Sequence, residues 1–369
     1  MDALRELEML LRPAGGGVYV VSTGLAEQQA LQKTLYGATT ADEVQARWRE
    51  SLARIKTARV VILGSPSDVG AGFLRGANMG PQGIRAALLE AVPDWPDRAL
   101  RDGVVDIGDV FVVPQLLHDE MLSDAQRDAT RAALYPSLSK SEAAPLPLSP
   151  LSIAERALDL VFALNPTVAP MVLGGDHSNA WPVVAALART RKEPWGIVQI
   201  DAHTDLLKER LGIRYCFATW SYHANDLIGR NGRMVQVGIR ATRHDRGHWE
   251  SSLGVRQFWA DECRHDPSSA LDAIVAHVKS TGVRGVYFSN DIDGTDEAWA
   301  DATGTPEPLG LEPDFVAELI ARLGREVGLI GADIMEVAPP IPRLEGGRAR
   351  TLATAVRYFR QTIDALVAR

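Results

Sequence analysis

Ile197-Val198-Gln199-Ile200, running into Asp201-Ala202-His203-Thr204-Asp205, is the stretch on which the reading of this chain turns. The first four residues are mostly apolar and have the texture of a buried strand. The next five set three side chains able to bind a metal at alternate positions. If strand geometry persists, its period of two aims Asp201, His203 and Asp205 to one side. Taken alone, the same five residues also suit a polar loop with a helix cap. Two further clusters tip the balance toward a metal site. One is His177, in Gly174-Gly175-Asp176-His177; the other is the pair Asp291 and Asp293.

The chain has 369 residues, long for one domain but within reach of a single α/β domain. A core of that size can enclose a metal centre without disulfide support. The formal net charge is −8 and the pI is near 5.6. No basic block stands out, which argues against nucleic acid as a partner. Cys216 and Cys263 are far apart and form no CxxC pair, as expected in a reducing compartment. No apolar run approaches a transmembrane length. The N-terminus carries acidic residues and lacks the apolar core of a signal peptide. A cytoplasmic protein with no membrane partner is expected.

Residues 1–57 read as an N-terminal helical extension, and 58–369 as one α/β domain. In the extension Leu4, Leu7, Leu10 and Leu11 share a helical face, as do Val44, Trp48, Leu52 and Ile55. Gly15-Gly16-Gly17 breaks between them. The extension either pads its own domain's edge or packs on a neighbouring subunit. Arg59 to Gly64 is a buried strand, followed by glycine-rich loops at 64–70, 72–76 and 80–85. These lack GxGxxG spacing and a P-loop lysine, so a pocket rim before a helix opened by Pro81 is the better reading. A strand spans 103–111. A polar helix follows, and Ala144-Pro145-Leu146-Pro147-Leu148-Ser149-Pro150 reads as surface loop. After a helix at 152–164, strands at 168–173, 196–200, 233–239, 284–290 and 328–335 alternate with helices at 178–190, 267–280, 312–323 and 350–368. Such alternation means a mostly parallel sheet with helices on both faces. Each metal candidate falls just after a strand, the edge where open α/β sheets gather ligands.

His177 and His203 offer imidazole nitrogens; Asp201, Asp205, Asp291 and Asp293 offer carboxylates. That set is too large for one tetrahedral zinc and too rich in nitrogen for calcium. It suits Mn²⁺, Fe²⁺, Co²⁺ or Ni²⁺. Carboxylates bridge readily, so two ions about 3.5–4 Å apart are natural, and such a pair makes hydroxide near neutral pH. The chemistry implied is hydrolysis.

Several ordered motifs also carry a family resemblance. Gly174-Gly175-Asp176-His177-Ser178, Asp201 to Asp205, and Ser289-Asn290-Asp291-Ile292-Asp293-Gly294-Thr295-Asp296 resemble the three signatures of the ureohydrolases, the family of arginase and agmatinase. Residues 302–307 and 332–339, the segment from Arg75 to Arg85, and Gly238-Ile239-Arg240 match as well. The resemblance spans about 60 to 365. It implies a three-layer α/β/α sandwich around a parallel sheet of about eight strands. It implies one metal on His177, Asp201, Asp205 and Asp291, and another on Asp201, His203, Asp291 and Asp293. Hydroxide held between them would attack a guanidinium carbon, oriented by Asp205, while Glu336 pairs with the guanidinium. The products are urea and an amine or ammonia.

Departures from the family pattern bear on the substrate. Phe217, in Tyr215-Cys216-Phe217-Ala218-Thr219-Trp220, stands where relatives carry a proton-shuttling histidine, and His223 is the nearest replacement. Leu207 stands where arginases place an asparagine against the amino-acid head of arginine, so arginine is disfavoured. Phe217, Trp220 and Leu207 are read as walls of a tight, apolar pocket, with packing in the core as the alternative. This variation, with the long N-terminal extension, looks closest to bacterial guanidine hydrolases, which use nickel. Guanidine or a small substituted guanidine is therefore the expected substrate, with agmatine or guanidinobutyrate next. The ligand set serves Ni²⁺ and Mn²⁺ alike. A deacetylase-like amide hydrolase and a supporting subunit of a hetero-oligomer are the readings from other classes. By resemblance the chain forms homo-trimers or homo-hexamers. Arg240, Arg243, His244 and Asp245 read as a solvated loop. His248, His265 and His277 read as structural or exposed, Cys216 as a buried thiol, and Trp249 and Trp259 as core.

Overall fold

The computed structural model describes residues 1–72 and 74–368; Phe73, inside the expected 72–76 loop, and Arg369, the last residue of the expected domain, lie outside them. Among the described residues, nine strands form one sheet: β1 (Leu11–Arg12), β2 (Val60–Ser65), β3 (Val104–Val110), β4 (Ala169–Gly174), β5 (Gly196–Ile200), β6 (Met234–Ile239), β7 (Arg256–Trp259), β8 (Val286–Asn290) and β9 (Leu329–Ile334). Their order across the sheet is β1-β3-β2-β4-β9-β8-β5-β6-β7. Every pairing is parallel except β1 with β3.

The inner strands are buried on both faces, and their sequences show why. In β2, Val61 and Leu63 join one apolar layer while Val60 and Ile62 join the other. The first layer is closed by helices that include Pro150–Leu164, Ala180–Thr190 and Trp220–Ile228; the second by Gly80–Ala91, Pro267–Ser280, Pro313–Glu326 and Gly347–Val367. The result is the three-layer α/β/α sandwich. Among the described residues, no helix is long and apolar enough to cross a membrane.

The chain leaves the centre twice. It runs β2 to β3 and back to β4, then β5 outward to β6 and β7, and finally returns through β8 and β9 to fill the gap between β5 and β4. The four adjacent strands β4, β9, β8 and β5 therefore bring the segments after residues 174, 334, 290 and 200 to one edge. That edge is tied across by backbone bonds: Glu336 N to Gly175 O (2.8 Å), Asp291 N to Ile200 O (3.0 Å) and Met335 N to Asn290 O (2.8 Å).

The N-terminal segment packs on its own domain's edge, one of the two readings open for it: β1 extends the sheet, Leu7, Leu10, Trp48 and Leu52 enter the core, and the Trp48 indole donates to Ile107 O (2.9 Å). Two expectations need correcting. The stretch at 144–150 is not a surface loop. Leu146 and Leu148 are buried, and the Asp119 carboxylate accepts from the amides of Leu148 and Ser149, which lets irregular backbone sit inside. Trp259 is half-buried at the sheet's edge, on a strand too short and polar to stand out in sequence.

Arg85 clamps the helix Gly80–Ala91 to β3. Its guanidinium meets Asp106 through two nitrogens (2.8 and 2.9 Å) and Asp109 through the third (2.5 Å), with Arg85 only 2% exposed. Burial alone would lower the Arg85 pKa, but the two carboxylates outweigh it and raise it. Removing one partner of such a pair strands the other charge. Arg85→Met is expected to lose about 3–5 kcal/mol of stability in urea unfolding.

Candidate metal centre

The six candidate ligands come together at the carboxyl edge of β4, β8 and β5. His177 Nδ1 lies 3.1 Å from Asp201 Oδ2, 3.2 Å from Asp205 Oδ2 and 3.0 Å from Asp291 Oδ2. His203 Nδ1 lies 3.1 Å from Asp293 Oδ2 and 3.6 Å from Asp201 Oδ1. Asp201 thus faces both imidazoles, one with each oxygen. Two groups spaced to hold metal ions result, His177–Asp201–Asp205 and Asp201–His203–Asp293, with Asp201 common to both. The His177 side chain is 1% exposed and that of His203 29%, so one group lies deep and the other opens toward solvent.

Does the donor set fit a cation? His177 gives the sharpest test. Its Nε2 meets Ser289 Oγ (3.0 Å), and Ser289 donates to Asp333, which also accepts from Tyr287. With Ser289's one proton spent on Asp333, its oxygen accepts from His177 Nε2–H. Once the ring is neutral, Nδ1 carries the lone pair, and among the described residues that buried atom makes no hydrogen bond. A lone pair aimed among three carboxylate oxygens is what a divalent cation takes, and outward bonds of this kind fix a ligand imidazole's tautomer.

Electrostatics agree. Burial raises the Asp291 carboxyl well above its usual range, helped by Asp293 and Asp201. Burial and Asp201 push Asp205 to about 6. Burial would lower both imidazoles; their carboxylate neighbours overcome it and hold His177 well above its ordinary value and His203 at about 12. Protons thus do the neutralising that a metal would do. A metal ligand must give up its proton, so loading releases protons and affinity rises with pH. Calorimetric titration of metal-free protein in buffers of different ionisation enthalpy is expected to show that release, with tighter binding at pH 8 than at pH 6.

Neighbouring groups hold the ligands in place. The Trp220 indole donates to Asp205 Oδ2 (3.0 Å), and its ring lies against His177, centroids 4.6 Å apart. Thr305 Oγ1 and Ala202 N donate to Asp293 (3.0 and 3.1 Å), and Gln199 donates to Asp201 (2.7 Å). Close approach demands glycine at two points. A Cβ on Gly175 would stand 1.9 Å from Ser67 O, and one on Gly294 would stand 2.7 Å from Asp201 N. Asp205 and Glu336 both have positive φ (53° and 62°), an uncommon conformation for residues with side chains and one that clusters at functional sites.

Glu336 follows β9 and is 7% exposed. His177 N donates to its Oε1 (3.0 Å), and its Oε2 is 3.8 Å from where a Cβ would stand on Gly304. Burial, then Asp176, raises its pKa well above the usual range. Phe217 is half-buried, and its ring edge would touch a Cβ on Gly72 at 3.5 Å. Leu207 is 46% exposed on the loop after Asp205.

Two expected site residues are used otherwise. Trp220 is fully buried, so it supports a ligand and does not wall a pocket. His223 is committed elsewhere: its Nε2 meets Lys208 O (3.0 Å) and its ring packs against Trp181, Tyr215 and Tyr222. Among the described residues, no hydrogen bond or ion pair joins it to the six ligands. Arg240 is also not a solvated residue. Its guanidinium binds the carbonyls of Asp293 (2.7 Å) and Glu307 (2.8 Å) and so ties two site loops together. The arginine after β6 carried no sign of this, because both acceptors are backbone atoms more than 50 residues away.

Comparison with known proteins places this geometry. The arginase-family model matches residues 58–362. The chain is 30% identical over 302 residues to the guanidinobutyrase of Pseudomonas aeruginosa, covering 79% of this chain and 82% of that one. It is 32% identical to a mitochondrial agmatinase of Gallus gallus, covering 75% and 73%. Among solved structures, proclavaminate amidino hydrolase from Streptomyces clavuligerus superposes with a TM-score of 0.60 at 30% identity, covering 83% of this chain and 92% of that one. A hypothetical agmatinase from Burkholderia thailandensis gives 0.63 at 26% identity, covering 85% and 87%. The chain belongs to the arginase family, metal-dependent hydrolases that act on guanidino C–N bonds.

Proposed function

We propose that this enzyme hydrolyses guanidine or a small substituted guanidine to urea and ammonia or an amine, using two divalent ions held by His177, Asp201, His203, Asp205, Asp291 and Asp293. The observation that carries the reading is the buried Glu336 carboxylate beside this cluster, held in place by His177 N. Burial disfavours its charge, and a guanidinium cation restores it while offering a planar, two-point match. Paired ions in this donor set would supply hydroxide near neutral pH. The side chains do the rest. Glu336 orients the guanidinium, and Asp205, steadied by Trp220, orients the attacking water, accepts its proton and returns it to the leaving nitrogen, which departs as ammonia or an amine. Asp293, held by Thr305 and Ala202, keeps the solvent-facing imidazole in register.

Leu207 supports the small-substrate reading, since it offers the carboxylate of arginine no hydrogen bond. A second reading has its own support. The Arg210 guanidinium lies 4.8 Å from the Phe217 ring centroid, on the loop that follows the metal ligands. An exposed cation there suits the carboxylate of a guanidino acid and repels the ammonium of agmatine, in keeping with the similarity to a guanidinobutyrase. We assign Ni²⁺ or Mn²⁺ as the metal and a homo-trimer or homo-hexamer as the assembly. The cytoplasm is assigned as location, in keeping with two buried, unpaired thiols, Cys216 and Cys263.

A urea-release screen with each metal, over guanidine, methylguanidine, agmatine, guanidinobutyrate, arginine and metformin, checks this. The highest kcat/KM is expected for guanidine or methylguanidine and the lowest for arginine. Guanidinobutyrate turned over fastest would establish the second reading, and strong arginine turnover would overturn both. Glu336→Gln is expected to lower kcat/KM roughly 100-fold, the scale of losing one oriented charged contact in the transition state, with metal content unchanged.

A further inference from the structure

Three glutamines lie side by side in the buried layer beneath the helix Trp220–Ile228. Gln199 on β5 pairs in register with Gln236 on β6, and Gln236 with Gln257 on β7. All three are fully buried. Their amides form one unbroken chain. Trp259 Nε1 donates to Gln257 Oε1 (3.0 Å), Gln257 Nε2 to Gln236 Oε1 (2.9 Å), Gln236 Nε2 to Gln199 Oε1 (2.8 Å), and Gln199 Nε2 to Asp201 Oδ2 (2.7 Å). Ser221 Oγ adds a second donor to Gln199 Oε1 (2.7 Å).

The direction of this chain is fixed at both ends. An indole N–H can only donate, and an ionised carboxylate can only accept. Each amide must therefore turn its NH₂ toward Asp201. The oxygen that receives the last donor is the one facing His177. Gln236 has a second hydrogen, and it goes to Thr204 O (2.6 Å), the carbonyl just before Asp205 with its positive φ. One amide thus governs a ligand side chain through Gln199 and a ligand's backbone through Thr204. Buried polar groups are costly unless every one is bonded, and a complete network specifies a single geometry.

We propose that Gln257, Gln236 and Gln199 are positioning residues for the metal centre: a one-way amide relay, anchored at Trp259, that sets which oxygen of Asp201 faces His177 and holds the turn presenting Asp205. This rests on the metal-centre reading above. Partners of metal ligands typically change metal affinity by roughly 10–100-fold when removed. The relay extends that influence to Gln257, which touches neither ligand.

The test uses Gln236→Met and Gln257→Met, near-isosteric changes that remove the amide. Metal-free wild type and variants, confirmed as folded by circular dichroism, are titrated with Mn²⁺ and with Ni²⁺ by calorimetry at 25 °C. Gln236→Met is expected to lose roughly 10–100-fold in affinity, and Gln257→Met a smaller but measurable factor in the same direction. A role in stability alone would lower the melting temperature and leave the affinity of the folded protein unchanged, and that result overturns the relay. Should Gln236→Met not fold, Gln257→Met decides by the same criterion. A wild type that binds neither ion would overturn the metal-centre reading, and the relay with it.

Discussion

Four carboxylates meet two imidazoles in a space from which water is largely excluded, and the rest of the structure answers to that concentration of charge. Like charges buried together cannot all stay ionised without compensation. Here protons on His177 and His203 supply it, and the raised Asp291 and Asp205 carboxyls show that the compensation is incomplete. Divalent cations meet the same need more fully and leave the ligands deprotonated. The site is therefore a receptor for positive charge twice over. The six ligands suit metal ions, and the buried Glu336 beside them suits a cationic guanidinium.

Holding such a cluster requires a frame that does not yield. The four central strands provide it, because each is bonded on both sides and all but Ile330 of their residues are buried. The turns at their ends are fixed by glycines that admit no side chain and by groups reaching in from elsewhere: Trp220 to Asp205, Thr305 to Asp293, and Arg240 across two loops. Toward His203 the frame opens. Leu207 and Phe217, read from sequence as departures from the family's pattern, follow the ligands along the chain and are not fully buried.

Much of the site could be read from sequence, for a physical reason. His177, Asp201 to Asp205, and Asp291 with Asp293 sit within a few residues of apolar strand ends, so local pattern locates them. The central strands were legible on the same ground. What escaped depended on contacts distant in sequence. β7 spans only Arg256–Trp259, and its buried Gln257 makes sense only beside Gln236. Trp220 looked like a pocket wall because nothing local shows its indole reaching back 15 residues to Asp205. His223 looked available because its partners Lys208, Trp181 and Tyr215 come from other segments. Leu146 and Leu148 sit among prolines, and their burial is made tolerable by partners from outside the stretch: Asp119 for the amides of Leu148 and Ser149, and Tyr135 for Pro147 O.

The central claim is that Asp201 is shared by two ions. Elemental analysis of purified wild type, Asp201→Asn and His203→Ala after loading with Mn²⁺ or Ni²⁺ tests it most directly. The account predicts two ions per chain in the wild type, about one in His203→Ala, and almost none in Asp201→Asn, because that single carboxylate serves both positions. Asp201→Asn retaining one or both ions, or a wild type holding no more than one, would contradict it.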